Sequence, residues 1–280
     1  MPSGPRPTAP AGHTGTALAA GTASRAVAVW ARTAGQRPGH RGLYDGGLAG
    51  TLVGLRLGAR LHPRLHVAAD RLRDQLVRTA RTRAWRREQV SFLDHDLITG
   101  PSGILLAPAP AGLEPFADHV AGLCAADELP RLCTAGHAGH PQLAWLDGRV
   151  DTGMGHGVAG GVAARTAAVR HLGPRPELNR ALRRAACWLT RRSFVHARSV
   201  RTWDGAGLDG PPPAGARARQ AWCYGTPGVS WALWDAADAL PPLRRPAGRS
   251  TSWRCATVRR ACRPWPTPST TKHACPRRRS

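Results

Sequence analysis

The chain has 280 residues and a formal net charge of +23, from 40 Lys and Arg against 17 Asp and Glu. That length suffices for one large domain or two small ones with a substantial core. Lys272 is the only lysine, so the charge is arginine accompanied by abundant Ala, Gly and Pro. This pattern reads as the codon bias of a GC-rich genome rather than a selected basic face, and no specific nucleic-acid partner is expected. No apolar run approaches the length of a membrane span, and no compact apolar segment near the N-terminus reads as a signal peptide. The seven cysteines contain no Cys-x-x-Cys pair and no regular framework, which points to a reducing, cytoplasmic setting.

In chain order, residues 1–23 are rich in Gly, Pro and Thr and are expected to be irregular. Residues 24–243 carry the periodic, apolar part of the chain. "YDGGLAGTLVGL" from Tyr44 is a glycine turn running into an apolar segment. "HPRLHVAADRLRDQLVRTARTRAW" (62–85) places Leu65, Val67, Leu72, Leu76 and Val77 near helical spacing, with arginines on the other side. "DLITGPSGILL" from Asp96 and "GMGHGVAGGVAA" from Gly153 repeat the glycine-turn form. "PELNRALRRAACWLTRRSF" (176–194) is a second amphipathic helix, with Pro176 placed to start it. "WCYGTPGVSWAL" from Trp222 is a fourth glycine turn. Residues 244–280 read as a disordered basic tail: no acid follows Asp238, whereas eleven Arg and Lys do, and the only aliphatic Val, Ile or Leu after Leu243 is Val258.

The four glycine turns form a repeat. Each contains Gly-x-x-Gly, at 47 and 50, 100 and 103, 157 and 160, and 225 and 228, with first glycines 53, 57 and 68 residues apart. That period accommodates a helical hairpin with its loops. Segments directly after the turns carry few charges, whereas the segments between repeats are amphipathic. The expected fold is therefore all-α: a double-layered α/α toroid, a barrel of buried inner helices and amphipathic outer helices, incomplete at its C-terminus. In such a toroid the inner-helix N-termini converge on one site, where glycine permits close backbone approach.

Each turn also carries a different polar residue: Asp96, His156, and Arg219 with Cys223. Taken singly, Asp96 reads as a helix N-cap, His156 as a loop histidine bonded to backbone, Arg219 as a surface arginine and Cys223 as a core thiol. Taken together, an acid, an imidazole, a guanidinium and a thiol at equivalent positions would face one another across the mouth of the toroid.

This set resembles the lanthionine synthetase C-like proteins, the cyclases that form thioether rings in lantibiotic-type peptides. The resemblance runs from about Leu43 to Leu240. "AWCYGTPG" is its most specific piece, close to the family's Trp-Cys-Tyr-Gly-x-Pro-Gly; "GMGHGVAG" comes next, with "DLITGPSG" and "LYDGGLAG" in the right order. The resemblance implies the same toroid and a zinc site in which Cys223 is one ligand. It implies that zinc binds a substrate thiol, lowers its pKa and presents a thiolate to dehydroalanine or dehydrobutyrine. Asp96, His156 and Arg219 match the family's acid/base and enolate-stabilising positions. The implied partners are a dehydrated precursor peptide and a lanthipeptide dehydratase.

The sequence departs from the family at one point. The two remaining zinc ligands come from a later Cys-His-Gly motif, and this chain contains none. The composition of the tail suggests translation out of frame; the alternative is a divergent tail in which Cys255, Cys262, His273 or Cys275 supplies ligands. The expectation is an impaired cyclase that binds zinc poorly. The alternatives are a non-catalytic peptide-binding relative or a truncated gene product, and, on charge alone, a nucleic-acid-binding protein.

Overall fold

The computed structural model describes residues 12–34, 42–44, 46–107, 112–173, 175–195, 199–207 and 220–240. The helices among these residues are α1 (Gly12–Thr33), α2 (Leu48–Gly58), α3 (Leu65–Thr82), α4 (Phe92–His95), α5 (Pro101–Leu105), α6 (Glu114–Gly122), α7 (Val158–Leu172), α8 (Pro176–Arg191) and α9 (Thr226–Ala239). Two short strands, β1 (Phe194–Val195) and β2 (Arg201–Thr202), pair antiparallel. No helix among the described residues is long and apolar enough to cross a membrane.

The Gly-x-x-Gly repeat has one structural meaning at all four places. Gly47, Gly100, Gly157 and Gly225 are the N-caps of α2, α5, α7 and α9, so the second glycine of each pair falls at the third helical position. A Cβ built on Gly50, Gly103, Gly160 or Gly228 would overlap a backbone carbonyl oxygen, that of Leu43, Leu97, Met154 or Trp222 respectively. Each turn folds its own backbone onto the first turn of the helix it starts, and only a residue without a Cβ fits there. The glycines are a steric requirement, not a by-product of composition.

Backbone hydrogen bonds tie each turn to the next. Tyr44 N donates to Ile98 O (3.2 Å), Leu97 N to Gly155 O (3.1 Å) and Met154 N to Cys223 O (2.8 Å). In every case the donor stands three residues, and the acceptor two residues, before the first glycine of its own repeat. The four turns therefore form a continuous belt along the mouth.

Below the belt α2 packs on α5, α5 on α7 and α7 on α9, while α3, α6 and α8 pack outside α2, α5 and α7. This is the expected alternation of inner and outer helices. In α8, Pro176 starts the first turn, and the charges of Glu177 in that turn and Arg191 in the last complement the helix ends. Its apolar stripe, Leu178, Ala181, Leu182, Ala185, Trp188 and Leu189, is buried. In α3 the buried residues are Ala69, Leu76 and Ala80, and Val67, counted with the apolar side from sequence, faces solvent. Each fully buried leucine, such as Leu52, Leu97 or Leu182, stabilises by about 1.5–3 kcal/mol relative to exposure.

Three features differ from expectation. Residues 1–23 were expected to be irregular, yet α1 starts at Gly12. The Ala-rich run preceding Trp30 has enough helix propensity to outweigh Gly15 and Gly21, and Trp30 lies over Gly54 of α2. The β1–β2 hairpin is too short to produce a readable alternation. The inner helices were expected to be buried nearly all round; α7 is, but Trp231 and Trp234 of α9 are 51% and 64% exposed. One face of α9 lies on α7, and no described helix covers the other. The tail after residue 243 lies outside the described residues.

Candidate active site at the inner-helix N-termini

Asp96 sits at the junction of α4 and α5. Ser91 opens α4 with a capping box in which its backbone N–H and hydroxyl both donate to Asp94 Oδ2 (2.9 and 2.8 Å). One turn later Asp96 is fully buried. Its Oδ1 accepts from Thr99 N (2.8 Å), Thr99 Oγ1 (3.1 Å) and Gly100 N (2.6 Å). Its Oδ2 accepts from His156 Nδ1 at 2.6 Å. Asp96 thus both caps the start of α5 and partners the histidine.

His156 belongs to the turn before α7. A carboxylate only accepts, so the bond to Asp96 places the proton on Nδ1 and leaves the Nε2 lone pair free. The side chain is 34% exposed. Phe92 stacks on its face, with ring centroids 4.2 Å apart and planes 18° apart. Phe92 and Asp96 are four residues apart, one helical turn, so a single segment grips the imidazole by its face and by one nitrogen.

Cys223 is a free, half-buried thiol in the turn before α9. A Cβ on Gly155 would stand 3.9 Å from Cys223 Cβ, so the His156 and Cys223 turns lie side by side. Beneath them is a residue that sequence reasoning did not select. Asp151 is 2% exposed; its Oδ1 accepts from Gly153 N (2.5 Å) and its Oδ2 from the Tyr224 hydroxyl (2.9 Å). Burial pushes its carboxyl up to about 6, against the opposing pull of those two hydrogen bonds and of His156. Its only signal in the sequence was an acid in an acid-poor stretch ahead of a glycine turn. Phe92 had none. At the rim, Tyr44 and Trp222, from the first and last turns, bring their rings within 5.7 Å.

A layer of buried polar groups lies behind the site. His95 is fully buried, and desolvation lowers its pKa to about 4, so it is neutral. His119 bonds through Nε2 to Asp94 O (2.7 Å), and burial lowers its pKa as well. Arg165 is buried within α7 and donates Nε (3.2 Å) and Nη2 (2.6 Å) to Val120 O near the end of α6, capping a helix C-terminus with a cation.

Residues 47–245 match the family described as lanthionine synthetase C-like protein, about seven-tenths of the chain. The chain belongs to that family. No curated protein matches it. Among solved structures it is similar to nisin cyclase, with a TM-score of 0.60 and 20% identity over 75% of this chain and 56% of that one. This lanthionine synthetase C-like chain therefore shares the helical toroid fold and spans a little over half the length of that cyclase.

As a lanthionine synthetase C-like site, the arrangement brings Asp96, His156 and Cys223 together. Arg219 lies outside the described residues. A catalytic zinc takes three protein ligands and one open position. Among the described residues no three His, Cys, Asp or Glu side chains are placed to hold a metal ion. Cys223 by itself does not fit such a centre, and Cys255, Cys262, His273 and Cys275 lie outside the described residues.

Proposed function

We propose that the chain is a lanthionine cyclase-like protein whose mouth receives a dehydrated, cysteine-containing precursor peptide made by a dehydratase in the cytoplasm. The observation that carries this reading is the half-exposed His156 imidazole, held at Nδ1 by Asp96 beside Cys223. In it, His156 Nε2 takes the proton of the peptide thiol. The thiolate adds to the β-carbon of dehydroalanine or dehydrobutyrine, the double bond becomes an enolate, and the imidazolium returns the proton to the α-carbon. The S–H and C=C bonds are replaced by S–C and C–H, with no net proton change. Arg219, four residues before Cys223, is the proposed partner of the enolate oxygen.

No step in this scheme passes through zinc. With Cys223 as the one ligand candidate among the described residues, zinc affinity is low and turnover slow in this reading. The test is incubation with a dehydrated peptide carrying one cysteine, followed by thiol alkylation. Ring closure leaves the peptide mass unchanged and abolishes the alkylation shift. Metal analysis of the purified chain runs alongside. Unchanged alkylation at enzyme-equivalent concentrations sinks the catalytic reading.

A second reading, a non-catalytic peptide-binding relative, is favoured by the exposed Tyr44–Trp222 pair at the rim. Two aromatic faces there suit the docking of a peptide side chain. Peptide binding measured without loss of free thiol would select it.

A further inference from the structure

The belt of turns aligns backbone with backbone, but one side chain fastens the two turns that carry His156 and Cys223. Asp151 lies six residues before Gly157 and 73 residues before its partner Tyr224. One carboxylate oxygen holds Gly153 N–H, at the base of the His156 turn. The other holds the hydroxyl of Tyr224, the neighbour of Cys223. The backbone of Asp151 is engaged too: its carbonyl accepts from Val158 N (2.8 Å) at the first residue of α7. The contact is tight, because a Cβ on Gly153 would lie 2.6 Å from Cys223 O, 2.8 Å from the Tyr224 ring and 2.9 Å from Asp151 Oδ1.

We propose that Asp151 is a positioning residue that locks the His156 turn to the Cys223 turn and commits the Tyr224 hydroxyl proton to the protein interior. A carboxylate can only accept, so the phenol donates its single proton inward. With that proton committed to Asp151, Tyr224 is not the acid that protonates the enolate. That role falls to His156. The catalytic consequence rests on the cyclase reading; the lock and the direction of the phenol proton do not.

The test uses the full chain at pH 8, where the Asp151 carboxyl is ionised and can only accept. It has two tyrosines, so Tyr44→Phe leaves Tyr224 as the sole tyrosine signal. The Raman Fermi doublet of tyrosine distinguishes a donor phenol from an acceptor phenol. The Tyr44→Phe protein is expected to show the donor ratio, and adding Asp151→Asn, whose amide can donate to the phenol oxygen, is expected to move it to the acceptor ratio. Asp151→Ala and Tyr224→Phe, by contrast, each break the carboxylate–phenol bond. Each is expected to lower Tm by roughly 5 °C and the thioether-forming kcat about tenfold at unchanged KM, with the double variant no worse than either single.

An acceptor ratio in the Tyr44→Phe protein, an unmoved ratio in its Asp151→Asn variant, or additive losses in Tm would overturn the proposal. A chain that makes no thioether at all removes the cyclase reading, while the doublet and the Tm cycle still decide the lock.

Discussion

His156 Nδ1 donates to Asp96 Oδ2 across 2.6 Å, joining residues 60 positions apart on neighbouring inner turns. The two differ in what else they do: Asp96 also accepts three donors at the start of α5, whereas the His156 ring, stacked on Phe92, makes no other hydrogen bond among the described residues. His156→Gln is therefore expected to lower thioether formation by about 100-fold or more with a near-native melting curve. Asp96→Asn should lower activity and also cost about 1–2 kcal/mol of stability as its cap weakens. Kinetics and thermal melts on both variants separate the roles; equal stability losses would contradict them.

The second glycine of each repeat faces a carbonyl that cannot retreat. Gly160→Ala and Gly228→Ala should each destabilise by about 1–3 kcal/mol or prevent folding, as overpacking against backbone does. Gly139, with no atom within 4 Å of a built Cβ, serves as the control: Gly139→Ala should stay within about 0.5 kcal/mol. Urea unfolding measures all three.

Two buried groups oppose each other in acid. His95 has its pKa lowered to about 4, so it contributes stability that is complete above its ordinary value near 6.5 and lost as pH falls toward 4. His119 acts in the same direction. Asp151 has its pKa raised to about 6, so its contribution is complete below about 3.8 and lost as pH rises through 6. His95 and Asp151 are each worth about 3 kcal/mol over the window. Between pH 4 and 6 the parent Tm should therefore change little. Asp151→Asn should make stability rise steeply with pH there, and His95→Gln should make it fall. Melting curves across that range check both signs.

Arg165 is a charge buried in a helix rich in alanine, and it donates to Val120 O. Arg165→Ala should cost about 3–5 kcal/mol, because it opens a cavity and uncaps α6. Arg165→Met keeps the volume and removes the buried charge, and is expected to stay within about 1.5 kcal/mol of the parent or exceed it. Denaturant titration ranks the pair.

Trp231 and Trp234 form the uncovered face of α9. Replacing both with Ser should leave Tm within a few degrees and raise the concentration at which the protein stays monodisperse, since exposed apolar patches drive association. Light scattering against concentration reads the change.

The sequence by itself determined what depends on neighbouring residues along the chain. Helical spacing marked α3 and α8, and Gly-x-x-Gly marked the starts of α2, α5, α7 and α9, because a carbonyl from the same turn imposes the second glycine of each pair. The resemblance carried by "AWCYGTPG" and "GMGHGVAG" selected His156 and Cys223 within those turns, and the turns then brought both to one mouth with Asp96. Tertiary structure decided what depends on distance in space. Nothing local says that Phe92 lies on the ring of His156, or that Asp151 reaches Tyr224 73 residues later. Those contacts exist because the belt of backbone hydrogen bonds sets neighbouring turns against each other, and a side chain's partner across that seam is set by the packing of two helices rather than by the spacing within either.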